Sequence, residues 1–142
     1  MDFTKYRVSC IVYRGIQKME PIKIRSFTDL NAWKEAHRLA LLIYKCTNDF
    51  PLNEKYSLID QMRRAAVSIS SNIAEGFSRQ SKKEKIQFYY TSKGSLTELQ
   101  NQLLLSRDIG YINKEVFNKI AEQTVMVDKL LTGLIKSIKS RA

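Results

Sequence analysis

From Thr28 to Ser140 the chain reads as four stretches of apolar residues spaced by three and four, separated by three short breaks. That spacing places the apolar side chains on one face of an α-helix and admits few other structures. The first stretch runs from about Thr28 to Asp49, with Leu30, Trp33, Ala36, His37, Ala40, Ile43 and Tyr44 on one face and Thr28 or Asp29 as the cap. Phe50-Pro51 ends it, because a residue before proline avoids the α region. The second, from about Asn53 to Glu75, carries Tyr56, Ile59, Met62, Ala66, Ile69 and Ile73, with Asn53 as cap and Gly76 as the left-handed residue that stops it.

The third stretch opens with Ser81-Lys82-Lys83-Glu84, a capping box, and continues through Ile86, Tyr89, Tyr90, Leu96, Leu99, Leu103 and Leu104. It ends at Asp108-Ile109-Gly110, a second glycine stop. Gly94 lies inside this helix at a cost of about 1 kcal/mol relative to alanine, which predicts that another helix packs closely against Gly94-Ser95. The fourth starts at Asn113, a cap, and runs to about Ser140 through Val116, Ile120, Val127, Leu131, Leu134 and Ile138. Connections as short as Phe50–Leu52, Phe77–Gln80 and Tyr111–Ile112 make successive helices antiparallel neighbours. The expected fold is all-α, an up-down-up-down four-helix bundle over residues 26–142.

Residues 1–25 differ. Tyr6-Arg7-Val8-Ser9-Cys10-Ile11-Val12-Tyr13-Arg14-Gly15-Ile16 is β-branched and aromatic and reads as a short strand or an extended arm. Lys5, Arg7, Arg14, Lys18, Lys23 and Arg25 against Asp2 and Glu20 give it a charge of +4. It reads equally as a basic arm or as an upstream extension, with Met19 as an alternative start.

The 142 residues carry 24 Lys and Arg against 14 Asp and Glu, a net charge of +10. Such a surplus points toward a polyanion. Residues 77–110 and 111–142 each hold +3, while the first two helices are near neutral. In an antiparallel bundle the start of the third helix lies beside the end of the fourth. Arg79, Lys82, Lys83 and Lys85 would then converge with Lys136, Lys139 and Arg141, beside a helix N-terminus that favours phosphate. These seven are the candidate nucleic-acid contacts.

Within Gln61–Gly76, Arg63 and Arg64 adjoin the small residues Ala65, Ala66, Ser68, Ser70 and Ser71, with Asn72 and Glu75 following. The two arginines diverge by about 100° on a helix. One can pair with Asp60 or Glu75, inside the bundle or across a subunit interface, while the other faces outward. The alternative is that Arg63, Arg64, Asn72 and Glu75 contact a polyanion; these four and Gly94 are read as structural or interface residues.

Enzyme signatures are absent. His37 is the single histidine, which excludes a histidine-based metal cluster, and it reads as a packing or hydrogen-bonding residue of the first helix. No phosphate-binding loop, dinucleotide fingerprint or nucleophile elbow occurs, so no catalytic residue, metal or cofactor is expected. Cys10 and Cys46 are read as free thiols of a reducing compartment. No run reaches the roughly 18 apolar residues of a membrane span, and a cytoplasmic protein is the default expectation.

Three motifs occur in order: Phe27-x-x-Leu30-x-x-Trp33, then Gln61-x-x-Arg64-Ala65-Ala66-x-Ser68-x-x-x-Asn72-Ile73-Ala74-Glu75-Gly76, then Lys93-Gly94-Ser95-x-x-Glu98-Leu99. Together they resemble the four-helix-bundle family of the 23S rRNA intervening-sequence protein, to which the accessory variability proteins of diversity-generating retroelements look related. The resemblance covers about Ser26 to Ser140. Residues before Ser26 depart from it, as does Ser70, where many relatives carry proline. It implies a basic homopentameric barrel with a nucleic-acid-associated, non-enzymatic role, binding RNA or an RNA–DNA hybrid by charge and shape. It also raises a protein scaffold, with a reverse transcriptase as a possible partner, as the alternative.

Overall fold

The computed structural model describes the backbone of residues 8–13 and 16–21 and, in full, residues 23–141. Two strands, β1 (Val8–Tyr13) and β2 (Ile16–Pro21), form an antiparallel hairpin with Val8 opposite Pro21 and Tyr13 opposite Ile16. The arm's Lys5, Arg7 and Arg14 and the Cys10 side chain lie outside the described residues. Four helices follow: α1 (Asn31–Thr47), α2 (Leu58–Ser78), α3 (Lys82–Asp108) and α4 (Lys114–Ser140). Each packs against two neighbours, α1 on α2 and α4, and α3 on α2 and α4. The arrangement is an all-α four-helix bundle.

The core is the inward stripe of each helix. Leu39 and Ile43 of α1, Met62, Ile69 and Ile73 of α2, Leu96, Leu99 and Leu103 of α3, and Ile120, Val127 and Leu131 of α4 are all buried. Fully burying one such side chain is worth about 1.5–3 kcal/mol. Four aromatic or apolar residues assigned to these stripes are exposed instead, Tyr44 of α1 among them. Tyr56 is 87% exposed because the α2 helix starts only at Leu58, and Tyr90 and Leu104 lie on the outer side of α3. His37 is also exposed and stacks on Trp33 at 4.8 Å between ring centres. The inward position one turn before Leu39 belongs to Glu35, which is buried.

The helix starts are set by turns the spacing did not reveal. Phe27–Asp29 is a separate 3₁₀ turn capped by Ser26, whose hydroxyl accepts from the Thr28 N–H, while Asp29 accepts from the Arg25 N–H at 2.9 Å and the Ser26 N–H at 3.1 Å. So neither Thr28 nor Asp29 caps α1; Leu30 precedes it without a side-chain cap. Leu52–Glu54 is a second 3₁₀ turn, and Asn53 caps nothing. Here Glu54 accepts hydrogen bonds from the Ser57 hydroxyl, the Tyr111 hydroxyl and the Leu58 N–H. At α4 the Asn113 carboxamide does accept from the Val116 N–H, at 2.8 Å.

The three glycines singled out by sequence have three different roles. Gly110 has φ +86°, and the Gly110 and Tyr111 N–H groups bond to Arg107 and Ser106 carbonyls, the usual glycine helix stop. Gly76 is not a stop. It lies inside α2 and is buried, and a Cβ there would meet Tyr89 Cε1 at 2.7 Å and Phe88 Cβ at 3.0 Å. Gly94 reverses the expectation of a close contact. It faces solvent, and a Cβ there meets nothing within 4 Å. The close approach belongs to its neighbour, whose Ser95 hydroxyl lies 2.8 Å from that of Ser68.

Two outcomes are expected in chemical denaturation. Gly76→Ala forces Tyr89 aside and lowers stability by about 1–3 kcal/mol, whereas Gly94→Ala leaves packing intact and raises it by up to about 1 kcal/mol. A destabilised Gly94→Ala would show that α3 is packed on that side after all.

The acid limb of stability is set in part by the two 3₁₀ turns. Backbone N–H bonds from Arg25 and then Ser26 hold the Asp29 carboxyl below its ordinary value of 3.8. Bonds from Ser57, Tyr111 and Leu58 hold Glu54 below its ordinary 4.5. A carboxyl whose folded-state value is depressed contributes stability in full above its unfolded value and loses it as pH falls through the folded value. Stability is therefore expected to decline below about pH 4.5, and Asp29→Asn and Glu54→Gln each to flatten that decline in denaturation measured from pH 6 to pH 2. Unchanged slopes in both variants would remove these turns from the acid response.

Candidate nucleic-acid interface

The break between α2 and α3 is only Arg79–Ser81, so the end of α2 and the start of α3 share one corner. The Ser81 hydroxyl accepts from the Glu84 N–H at 3.2 Å and donates to the Glu84 carboxylate at 3.0 Å. The reciprocal bond of a full capping box, from the Ser81 N–H, is replaced by this side-chain contact. Lys85 reaches back across the break to the last turn of α2. Its ammonium donates to the Phe77 carbonyl at 2.7 Å and lies 3.4 Å from the Gly76 carbonyl. It thereby satisfies the Phe77 carbonyl that the helix end leaves open, while the Gly76 carbonyl also accepts from the Arg79 N–H. Burial first, and then the charge of Arg141, push the Lys85 ammonium below its ordinary value.

The end of α4 arrives at the same corner. Lys82 donates to the Arg141 carbonyl, and Lys139 donates to the Tyr90 hydroxyl at 2.9 Å. Arg79 lies over the Phe88 ring, 4.8 Å from its centre, and 3.9 Å from the Glu75 carboxylate. Lys83 and Lys136 are exposed and hold no ion pair among the described residues. The structure thus gathers Arg79, Lys82, Lys85, Lys139 and Arg141 through direct contacts, and it separates two kinds of cation. Lys82, Lys85 and Lys139 are engaged within the protein; Lys83 and Lys136 are not.

Arg63 and Arg64 stand elsewhere, about 24 Å from Arg79 along α2 at 1.5 Å per residue. Arg63 donates from Nε to the Thr47 hydroxyl at 2.9 Å and from Nη2 to the Asn48 carboxamide at 3.0 Å, and its guanidinium lies 4.6 Å from the Tyr44 ring centre. It fastens the end of α1 to α2. Arg64 turns outward, 79% exposed at the side chain, and pairs with Asp60 one turn before it at 2.9 Å. These two line a shallow surface groove with Tyr44, Val67, Ser68 and Ser71. Asn72 donates to the Ser68 carbonyl at 2.8 Å and to the Ser68 hydroxyl at 3.1 Å. Buried Ser92 donates to the Ile69 carbonyl at 2.8 Å. Glu75 is exposed, and among the described residues its carboxylate has only the distant contact with Arg79.

Polar residues that the spacing did not single out also fix the helices. Buried Glu35 accepts from Arg38 at 2.8 Å and from the Gln123 carboxamide at 2.8 Å, joining α1 to α4. Lys93 joins α3 to α4 through Asp128 at 3.1 Å and the Thr132 hydroxyl at 2.7 Å. Placing Glu35 on a helical wheel with Ala32, Ala36 and Leu39 would have revealed its inward position. Half-buried Cys46 donates to the Ile43 carbonyl, and burial with nearby Asp49 pushes its thiol up to about 11. No group of three or more His, Cys, Asp or Glu is poised to hold a metal among the described residues, and no described helix is long and apolar enough to cross a membrane.

The two arginines are expected to differ in stability measurements. Arg63→Ala breaks bonds between a charged donor and two partners on α1, a loss of about 1–3 kcal/mol. Arg64→Ala breaks one exposed pair and costs less than about 0.5 kcal/mol. Equal denaturation midpoints for the two variants would overturn the assignment of Arg63 as the fastener.

The comparisons agree with the four-helix fold. The profile of the 23S rRNA-intervening sequence protein family matches residues 28–133. A crystal structure of a protein of unknown function from the S23 ribosomal protein family of Bacteroides thetaiotaomicron has the same fold, with a TM-score of 0.69 and 24% sequence identity, over 74% of this chain and 95% of that one. No curated protein matches the chain. A family match across four helices that the structure places in one bundle is enough to assign it: the chain belongs to the 23S rRNA-intervening sequence protein family.

Proposed function

We propose that this protein is a non-enzymatic, homo-oligomeric nucleic-acid-binding protein that holds RNA, or an RNA–DNA hybrid, by its phosphates at the shared end of α3 and α4. The observation that carries the reading is the meeting of two basic segments at one corner, seen in the Lys82–Arg141 and Lys139–Tyr90 contacts. The start of a 27-residue helix lies at the same corner and adds exposed N–H groups and a favourable dipole for phosphate. A net charge of +10 on each chain supports long-range attraction of a polyanion. Exposed Tyr44 and Val67, on the flank that also carries Arg63 and Arg64, support the oligomeric part of the reading. Five subunits rest on the family resemblance. The same flank favours the second reading, a scaffold that holds a protein partner such as a reverse transcriptase.

Lys83 and Lys136 are the residues to change, since they carry charge at this end without fastening anything. Lys83→Glu with Lys136→Glu is expected to weaken RNA binding by about tenfold or more at low salt, with a shallower dependence of affinity on salt, because each lost phosphate contact reduces the counterions released. Fluorescence anisotropy with a hairpin RNA at two salt concentrations measures this, and thermal unfolding should be unchanged. Light scattering on nuclease-treated protein reads the subunit number. Affinity indifferent to both salt and the double variant would favour the scaffold.

A further inference from the structure

One aromatic residue of the basic end is only half covered. Tyr90 is 49% exposed although it belongs to a helix with a well-filled core. Lys83, seven residues before it, and Gly94, four residues after it, lie on the same face of α3. Gly94 leaves open space on that face, since nothing lies within 4 Å of where its Cβ would be. Lys139 of α4 donates to the Tyr90 hydroxyl at 2.9 Å, and its ammonium is 5.3 Å from the ring centre. A cation that near the hydroxyl and that far from the centre stands outboard of the hydroxyl, not above the ring. Phe88 differs, because it is half-buried and the Arg79 guanidinium lies over its ring. Tyr90 is thus held at its hydroxyl edge while its ring remains open to solvent. The hydrogen bond from Lys139, then that ammonium's charge, then Lys93, lower the Tyr90 phenol from its ordinary value, in keeping with its cationic surroundings.

An open aromatic ring among lysines is the arrangement with which proteins bind unpaired nucleotides. The basic groups hold the backbone and the ring stacks against a base, whichever base it is. A paired and stacked duplex offers no such base face, whereas single strands, loops and ends do. We infer that Tyr90 is a base-stacking platform, and that the α3–α4 end takes single-stranded nucleic acid, with Lys83, Lys136 and Lys139 on the flanking phosphates. This rests on the nucleic-acid reading above and narrows it from nucleic acid in general to unpaired segments.

The test uses the full chain and three probes carrying the same number of phosphates. These are a single-stranded RNA of about 12 nucleotides with a central 2-aminopurine, within the site sizes of such grooves, the same strand with abasic residues at its centre, and a duplex RNA. Tyr90→Ala is expected to weaken binding of the intact strand by roughly 5- to 150-fold, as the loss of one stacked base does, and that of the abasic strand and duplex by less than about twofold. Quenching of 2-aminopurine on binding should disappear in Tyr90→Ala and persist in Tyr90→Phe, which keeps the ring and loses only the bond to Lys139. The salt slope of Tyr90→Ala should match that of the parent, because no phosphate contact is lost. Equal weakening of intact and abasic strands, or none at all, would overturn the stacking role, while retained duplex binding would leave the broader reading standing. Failure of all three probes to bind at low salt would overturn both.

Discussion

The close approach of α2 and α3 at Gly76 is the constraint on which the rest of the bundle's basic end depends. With no side chain on Gly76, the Tyr89 ring lies against the α2 backbone, and two long helices can meet across a connection of only Arg79–Ser81. Ser68, Ser92 and Ser95 extend the approach further along by spending their hydroxyls on each other and on the Ile69 carbonyl. Close packing of this kind tolerates little volume change. Were the helices forced apart here, Lys85 would lose the α2 carbonyls it satisfies. The first turn of α3 would then no longer stand where α4 arrives.

That corner has an electrostatic problem and a partial internal solution. Cations gathered at one end repel one another, so each needs compensation in the absence of a ligand. Lys85 finds it in backbone carbonyls, Lys82 in the Arg141 carbonyl and Arg79 in a ring face and a distant carboxylate. None of these partners except Glu75 carries a formal charge, so the local charge is spread, not neutralised. A surface of this sort remains attractive to an anion while being geometrically fixed before the anion arrives, and pre-fixed contacts lose less entropy on binding. Arg63 illustrates the opposite use of the same side chain. Its planar fork is consumed by Thr47, Asn48 and Tyr44, and it contributes to cohesion and not to the basic end.

Four helices in alternating direction were legible because their inward stripes repeat at a helical period and their breaks are short. The convergence of the two basic segments was legible too, since it follows from antiparallel order alone. Glycine was not legible, for a physical reason. A glycine is favoured where the backbone turns left-handed or where another chain segment comes too close for a Cβ, and it also occurs where neither applies. Gly110, Gly76 and Gly94 are one of each, and local sequence does not distinguish them. The starts of α1 and α2 were misplaced because 3₁₀ turns use the same capping residues as α-helices.

Tyr90 and Glu35 mark the limit of reading by hydropathy. Each sits where its polarity argues against it, Tyr90 outward and Glu35 inward. A periodic pattern assigns residues by type, whereas a helix face is assigned by geometry, and the two disagree where a side chain is both apolar and polar or where a partner awaits a buried charge. Glu35 is tolerated in the interior because Arg38 and Gln123 satisfy its oxygens, since an unpaired buried charge would be strongly unfavourable. Nothing comparable in the fold requires Tyr90 to be outside. Its hydroxyl is held from α4 and the residue is about half exposed, so the fold fixes the orientation of a ring that it only half covers. A residue held in place while the packing uses only half of it is one whose remaining contacts are to be sought outside the chain.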